Sequence, residues 1–207
     1  MKREIRIYFE GNRKLRLGLG EFLSSIRNAA SAKKLGWQLI ASGSRTNTIK
    51  NFRVALRDHP EAFNILLVDA EEAVFHSSWD HLRGRNELNW PKQDDLADTH
   101  CHLMVQVMEA WFIADIEALR NYYGQGFNEN AIPKDREVEK IGKDKIESAL
   151  IGATRNTSKR EYHKTHHAPK LLSKLSVERV RKAAPACERL FKVLNDWIDS
   201  EASKRGD

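Results

Sequence analysis

Cysteine is scarce in this chain. Cys101 and Cys187 are its two thiols, far apart and without metal-ligand spacing. A disulfide framework and a cysteine zinc site therefore have no basis, and a reducing compartment fits. Long hydrophobic runs are missing too: nothing approaches the roughly 20 apolar residues that span a bilayer. Met1-Lys2-Arg3-Glu4 runs straight into a short apolar segment rather than a signal-peptide core, so the expectation is a cytoplasmic protein. No internal repeat or low-complexity tract interrupts the sequence.

What the chain does have is charge. Of its 207 residues, 31% are charged and 41% hydrophobic, enough apolar material for one real core under a heavily solvated surface. The net charge of +6 and a pI near 9.3 favour acidic partners such as nucleic acid.

The apolar pattern reads as alternating strand and helix. Ile5, Ile7 and Phe9 alternate with charged neighbours over Glu4 to Phe9, a strand signal that stops at Glu10-Gly11-Asn12. Leu15, Leu19, Phe22, Leu23 and Ile26 then predict one helix over 13–34, ended by Gly36. Trp37 to Ala41 is a second strand, and Thr46 or Asn47 could cap a helix that ends at His59-Pro60. FNILLV at 63–68 is the clearest strand, a near-continuous apolar run, as a central strand covered on both faces would be. Residues 71–99 read as a long irregular connection holding Trp79, Trp90 and Pro91. LMVQVM at 103–108 reads as a fourth strand leading into a helix to Tyr123; beyond Pro133, 137–152 and 176–204 look helical. This pattern predicts an α/β fold: a parallel sheet with right-handed crossovers over 1–130, followed by a helical extension over 131–207.

Three acids, Glu10, Asp69 and Glu109, fall just past the ends of expected strands. In an open parallel sheet that edge is where ligands bind. Each has a plainer reading, a surface acid or a helix cap. Together they favour a site for a hard divalent cation, Mg²⁺ or Mn²⁺, since carboxylates held close either raise one another's pKa or recruit a cation. Glu71, two residues after Asp69, could face the same way if the chain stays extended.

Between Thr154 and Lys174 the chain carries Arg155, Lys159, Arg160, Lys164, Lys170 and Lys174 against the single acid Glu161. The stretch reads as a basic loop suited to phosphate contacts, with a lysine able to stabilise charge on a reacting phosphate. His163, His166 and His167 lack the usual helical spacing of zinc ligands. Trp79 and Trp90 could stack on an unpaired base.

Several motifs carry a family resemblance. Tyr8-Phe9-Glu10-Gly11, Leu66-Leu67-Val68-Asp69-Ala70-Glu71 and the run from His102 to Phe112 resemble a small Toprim-like family known as domain of unknown function 4276. Tyr123-Gly124-Gln125-Gly126-Phe127-Asn128, the run Ala153 to Lys159, and Tyr162-His163-Lys164 match it further. The resemblance implies a Toprim-like fold in which Glu10 is the general acid or base and Asp69, Glu71 and Glu109 hold Mg²⁺ or Mn²⁺. Lys159 and Lys164 would then assist catalysis, with Arg155, Arg160, His163 and His167 on the nucleic acid. It also implies a nuclease of bacterial antiphage defence, partnered by an ABC or Rad50-like ATPase. Two departures, Asn12-Arg13-Lys14 after Gly11 and Glu71 in place of Asp, keep open a non-catalytic subunit that binds nucleic acid or docks on the ATPase. Phosphoryl transfer on a small nucleotide is a third possibility.

Overall fold

The alternating residues of the N-terminus form β1 (Glu4–Phe9), the strand from which the sheet is built outward. β2 (Gly36–Ala41) pairs with one edge of β1, and β3 (Phe63–Asp69) with the other. β4 (Cys101–Met104) completes the order β2-β1-β3-β4, with every pairing parallel. The structure is a computed structural model describing residues 3–85, 96–135 and 137–204. Helices follow the strands: α1 (Arg13–Phe22) and α2 (Ser24–Ala32) after β1, α3 (Arg45–Asp58) after β2, and α4 (Ser78–Gly84) between β3 and β4. α5 (Glu109–Ala114) and α6 (Ile116–Tyr123) come next. The C-terminal extension holds α7 (Lys143–Thr154), α8 (Lys164–Leu172), α9 (Val177–Ala183) and α10 (Pro185–Ser203). A four-stranded parallel sheet flanked by helices with a helical extension is a Rossmann-like α/β arrangement.

Strand periodicity sorts the core onto two faces. Ile5, Ile7, Phe9, Ile65 and Leu67 point to one face, packed with Phe22, Trp111 and Phe191 from the helices. Tyr8, Leu66, Val68 and Leu103 point to the other, against Phe52 of α3 and Trp79 and Leu82 of α4. β3 is buried along its whole length, which is why its sequence is apolar but for Asn64 until Asp69 closes it.

Several expected boundaries differ. The helix expected over 13–34 is two, because the backbone at Leu23 leaves helical geometry and turns that side chain into the core. Ser44, rather than Thr46 or Asn47, caps α3 by accepting the Asn47 N–H. The helix ending at Tyr123 is split at Asp115, whose carboxylate caps α6 through the Ala118 N–H and also receives the Ser176 N–H at 2.7 Å. β4 begins at Cys101 and stops at Met104; Val105 to Met108 form a buried turn, in which the Gln106 carbonyl accepts the Glu71 N–H and its side chain accepts the Lys143 N–H. An apolar run cannot by itself distinguish a strand from such a turn. The helix expected over 137–152 is the shorter α7, preceded by a 3₁₀ turn at Val138–Lys140. The expected 176–204 segment breaks at Ala184, the residue before Pro185.

The connection after Asp69 is not wholly irregular. Trp79 lies in α4, buried, with its indole N–H donated to the Ala97 carbonyl, so it is not a base-stacking platform. Trp90 and Pro91 lie outside the described residues.

α8 is held to the sheet edge through α1. A Cβ on Gly18 would stand 2.2 Å from the Pro169 carbonyl oxygen, so the two helices touch backbone to backbone there. Gly18→Ala is expected to cost about 1–3 kcal/mol in urea denaturation, because the overlap is with backbone and cannot be relieved by a rotamer change. Gly20→Ala, whose Cβ would make an ordinary 3.5 Å contact with Leu39, should be neutral or stabilising by up to about 1 kcal/mol. Equal effects at the two positions would refute the close-approach account.

Candidate functional site

The C-terminal edge of the sheet is where the acids gather. Phe9 pairs in register with Leu67, and Asp69 with Met104, so the ends of β1, β3 and β4 reach this edge together. Beyond β1, Gly11 and Gly43 exchange N–H···O bonds of 2.9 Å in both directions, at φ of 138° and 77°. Those backbones are open to glycine and strained for other residues. Asn12 then caps α1, its Oδ1 accepting the Lys14 and Leu15 N–H groups.

Asp69 is the last residue of β3 and only 5% exposed. Its Oδ1 accepts the Met108 N–H at 2.8 Å, and its Oδ2 faces the Lys164 ammonium at 3.4 Å. Burial pushes its carboxyl up to about 6, Lys164 opposing and the negative charge of Glu109 and Glu10 adding to the rise. Glu109 is not at a strand end; it opens α5, five residues past β4. Its Oε1 accepts the Tyr162 hydroxyl at 2.8 Å and lies 3.5 Å from Lys164 Nζ, while its buried Oε2 has no hydrogen-bond partner among the described residues. Lys164 is the first residue of α8. Burial works against its charge, but Asp69 and Glu109 outweigh that and hold its pKa above the ordinary lysine value. Burial and Glu109 likewise keep the Tyr162 hydroxyl protonated as a donor.

The other two acids are held differently. Glu10 receives the Arg45 Nε–H at 2.9 Å. Arg45, at the start of α3, also donates to the Asp69 carbonyl and lies 3.6 Å from Glu71. Glu71 does not continue the strand: its φ is 69°, and its carboxylate pairs with Lys143. Burial disfavours its charge, but Lys143 and then Arg45 and Lys164 prevail, leaving its carboxyl below the usual range. The chain is thus not extended at Glu71, the condition on which it was expected to face the same way as Asp69.

The basic segment is also not one loop, since α8 begins inside it. Lys164 reaches the acids, but Lys159 lies over the Tyr122 ring, 5.3 Å from its centroid. Arg160, at φ 64°, donates its N–H to the Thr157 carbonyl, and Arg155 ends α7. His163 precedes α8 and donates its N–H to His167 Nδ1, which also faces the Tyr123 hydroxyl at 3.1 Å. Burial, then the neighbouring His166 and His163, lowers the His167 pKa, so its ring is a neutral acceptor. A cavity of about 210 Å³ opens beside the acids and includes Glu10, Asp69 and Lys164 in its walls; Arg155, Lys159, Arg160, His163 and His167 do not line it.

Arg45, Lys143 and Tyr162 are members of this site that the sequence reading did not assign. Arg45 follows the turn that ends β2, at the same sheet edge as Glu10, and Tyr162 lies two residues before Lys164; both positions were available as signals. Lys143 offered none, since it reaches Glu71 only through tertiary packing.

Among the described residues no group of three or more His, Cys, Asp or Glu side chains is assembled to hold a metal ion. The donor chemistry of Asp69 and Glu109 nevertheless fits a hard divalent cation: both are carboxylates, both are buried, and one oxygen of Glu109 is left without a partner. Their present cation is Lys164.

The chain belongs to the family described as Domain of unknown function (DUF4276), whose model matches residues 15–195. Asp69, Glu71, Glu109 and Lys164 fall within the match, and Glu10 precedes it. No curated protein and no solved structure matches the chain. No helix among the described residues is long and apolar enough to cross a membrane.

The raised Asp69 pKa has a consequence for stability. The folded state takes up this proton more readily than the unfolded chain, so the contribution is complete below the ordinary value of 3.8 and lost as pH rises through about 6. Asp69→Asn, which cannot charge, should therefore be more stable than the parent at pH 7 in metal-free buffer, by about 3 kcal/mol at most. By pH 4 the advantage should nearly vanish. Urea melts at both pH values check this; a difference independent of pH would contradict it.

Proposed function

We propose that this protein is a Toprim-like, divalent-metal-dependent nuclease acting on DNA or RNA, the effector of a bacterial antiphage system with an ABC or Rad50-like ATPase as partner. The observation carrying this reading is the buried pair Asp69 and Glu109, sharing one lysine at the C-terminal sheet edge with Glu10 nearby. In this reading residues 1–130 supply the acids, and 131–207 supply Lys164 and Tyr162.

Asp69 and Glu109 would hold Mg²⁺ or Mn²⁺, which when bound supplies positive charge to the phosphate and lowers the pKa of water. Glu10 would accept a proton from the attacking water as the water oxygen bonds to phosphorus. The phosphorus–oxygen bond to the leaving sugar breaks, and that sugar oxygen takes a proton from solvent, giving a phosphate monoester and an alcohol. Arg45 holds Glu10 at the edge through its 2.9 Å bond. Tyr162 fixes Glu109, and Lys164, once drawn from the carboxylates, neutralises a phosphate oxygen. Arg155, Lys159, Arg160, His163 and His167 would contact the flanking backbone away from the cavity.

One observation favours a second reading. Glu10 and Glu71 are both engaged by Arg45, and Glu71 by Lys143, as in a site stabilised without metal. That arrangement would suit a non-catalytic subunit that binds nucleic acid or docks on its ATPase. Incubating the protein with single- and double-stranded DNA and with RNA in Mn²⁺ separates the two. Cleavage that EDTA abolishes and Asp69→Ala lowers by about a hundredfold or more is expected of the nuclease. The same background from parent and variant, with binding that survives EDTA, would establish the second reading.

A further inference from the structure

The cavity beside Asp69 has a mixed lining: Glu10, Asp69 and Lys164 bring charge to it, and Leu15, Met104, Met108 and Pro169 bring apolar surface. Phosphate chemistry alone has no use for the apolar part. Two of the three methionines in the chain are placed there, and thioethers are adaptable surfaces that make favourable contacts with aromatic rings.

Size narrows the occupant. A cavity of about 150 Å³ lined by apolar side chains takes up one benzene. The 210 Å³ here therefore suits a single heterocycle and is too small for a base pair or a stack. α1 and α8 bound the cavity through Leu15, Thr165 and Pro169, and the backbone contact between Gly18 and Pro169 keeps the two helices from spreading. A base entering such a space must leave its stack, which costs least in a single strand, at a frayed end or in a free nucleotide.

We propose that this cavity is a base-binding subsite: it receives the unstacked base of one nucleoside phosphate unit while the adjoining acids and Lys164 face its phosphate. This rests on the nuclease reading and deepens it, making an unpaired nucleotide the recognised unit.

Binding can be measured apart from cleavage, in Ca²⁺, with a short single strand carrying a terminal 2-aminopurine. Its blunt duplex and the same strand with an abasic terminal residue are the comparisons, each tested with the label or gap at either end. The intact single strand should bind about tenfold or more tighter than the duplex and the better-placed abasic strand. Leu15→Trp, which fills the cavity, should remove that preference, while Leu17→Trp, at a position 67% exposed on the same helix, should keep it. Thermal melts of both variants check that they fold. Equal affinity for abasic and intact strands, or an unchanged preference in folded Leu15→Trp, would overturn the proposal. Displacement of the strand by dAMP at similar concentration would support the subsite and make the free nucleotide its source. Base recognition without cleavage in Mn²⁺ would remove the nuclease reading and leave this one standing; cleavage indifferent to the terminal base would do the reverse.

Discussion

Two carboxylates withdrawn from water share a single ammonium group, and the order of the sheet edge depends on that arrangement. Asp69 and Glu109 reach it from β3 and α5, and Lys164 reaches it from α8, nearly a hundred residues beyond Asp69. Keeping either acid charged in that place without a cation beside it would be costly. The lysine therefore ties the helical extension to the sheet at the place where the chemistry is proposed. The Met108 N–H on Asp69 and the Tyr162 hydroxyl on Glu109 orient the two acids.

Around this centre the remaining charges are sorted. Arg45 binds Glu10 and the Asp69 carbonyl, and Lys143 draws Glu71 aside. The four acids thus share an edge but form two groups, one built around Lys164 and one around Arg45. The first is the drier, and it includes the carboxylate oxygen left without a partner. The cavity beside this group is lined by residues of α1 as well, so a bound molecule would meet both charge and methionine.

The architecture was largely legible in the sequence, because its signals are local. Alternation marks β1, uninterrupted burial marks β3, and Gly43 and Gly36 punctuate the elements around β2. The fourth strand was misplaced because LMVQVM is equally apolar as strand and as buried turn, and only the bonds from Gln106 to Glu71 and Lys143 distinguish the two. That shift changed the meaning of Glu109 from a strand-end acid to the first residue of a helix. Glu71 is similar: an acid two residues after Asp69 reads as an extension of the strand, whereas a positive φ turns the chain there. Asp69, Glu10 and Lys164 could be singled out from position and charge, and Arg45 from its place just past β2. Lys143 could not, since it meets Glu71 only through the packing of the helical extension on the sheet edge.

The central claim is that Lys164 stands in a cation's place between Asp69 and Glu109. Calorimetric titration of Mn²⁺ into the parent protein and into Lys164→Met tests this most directly. The account predicts tighter binding by the variant, by about tenfold or more, because the competing ammonium is gone. Unchanged or weaker binding in a folded Lys164→Met, or no Mn²⁺ binding by either protein, would contradict it.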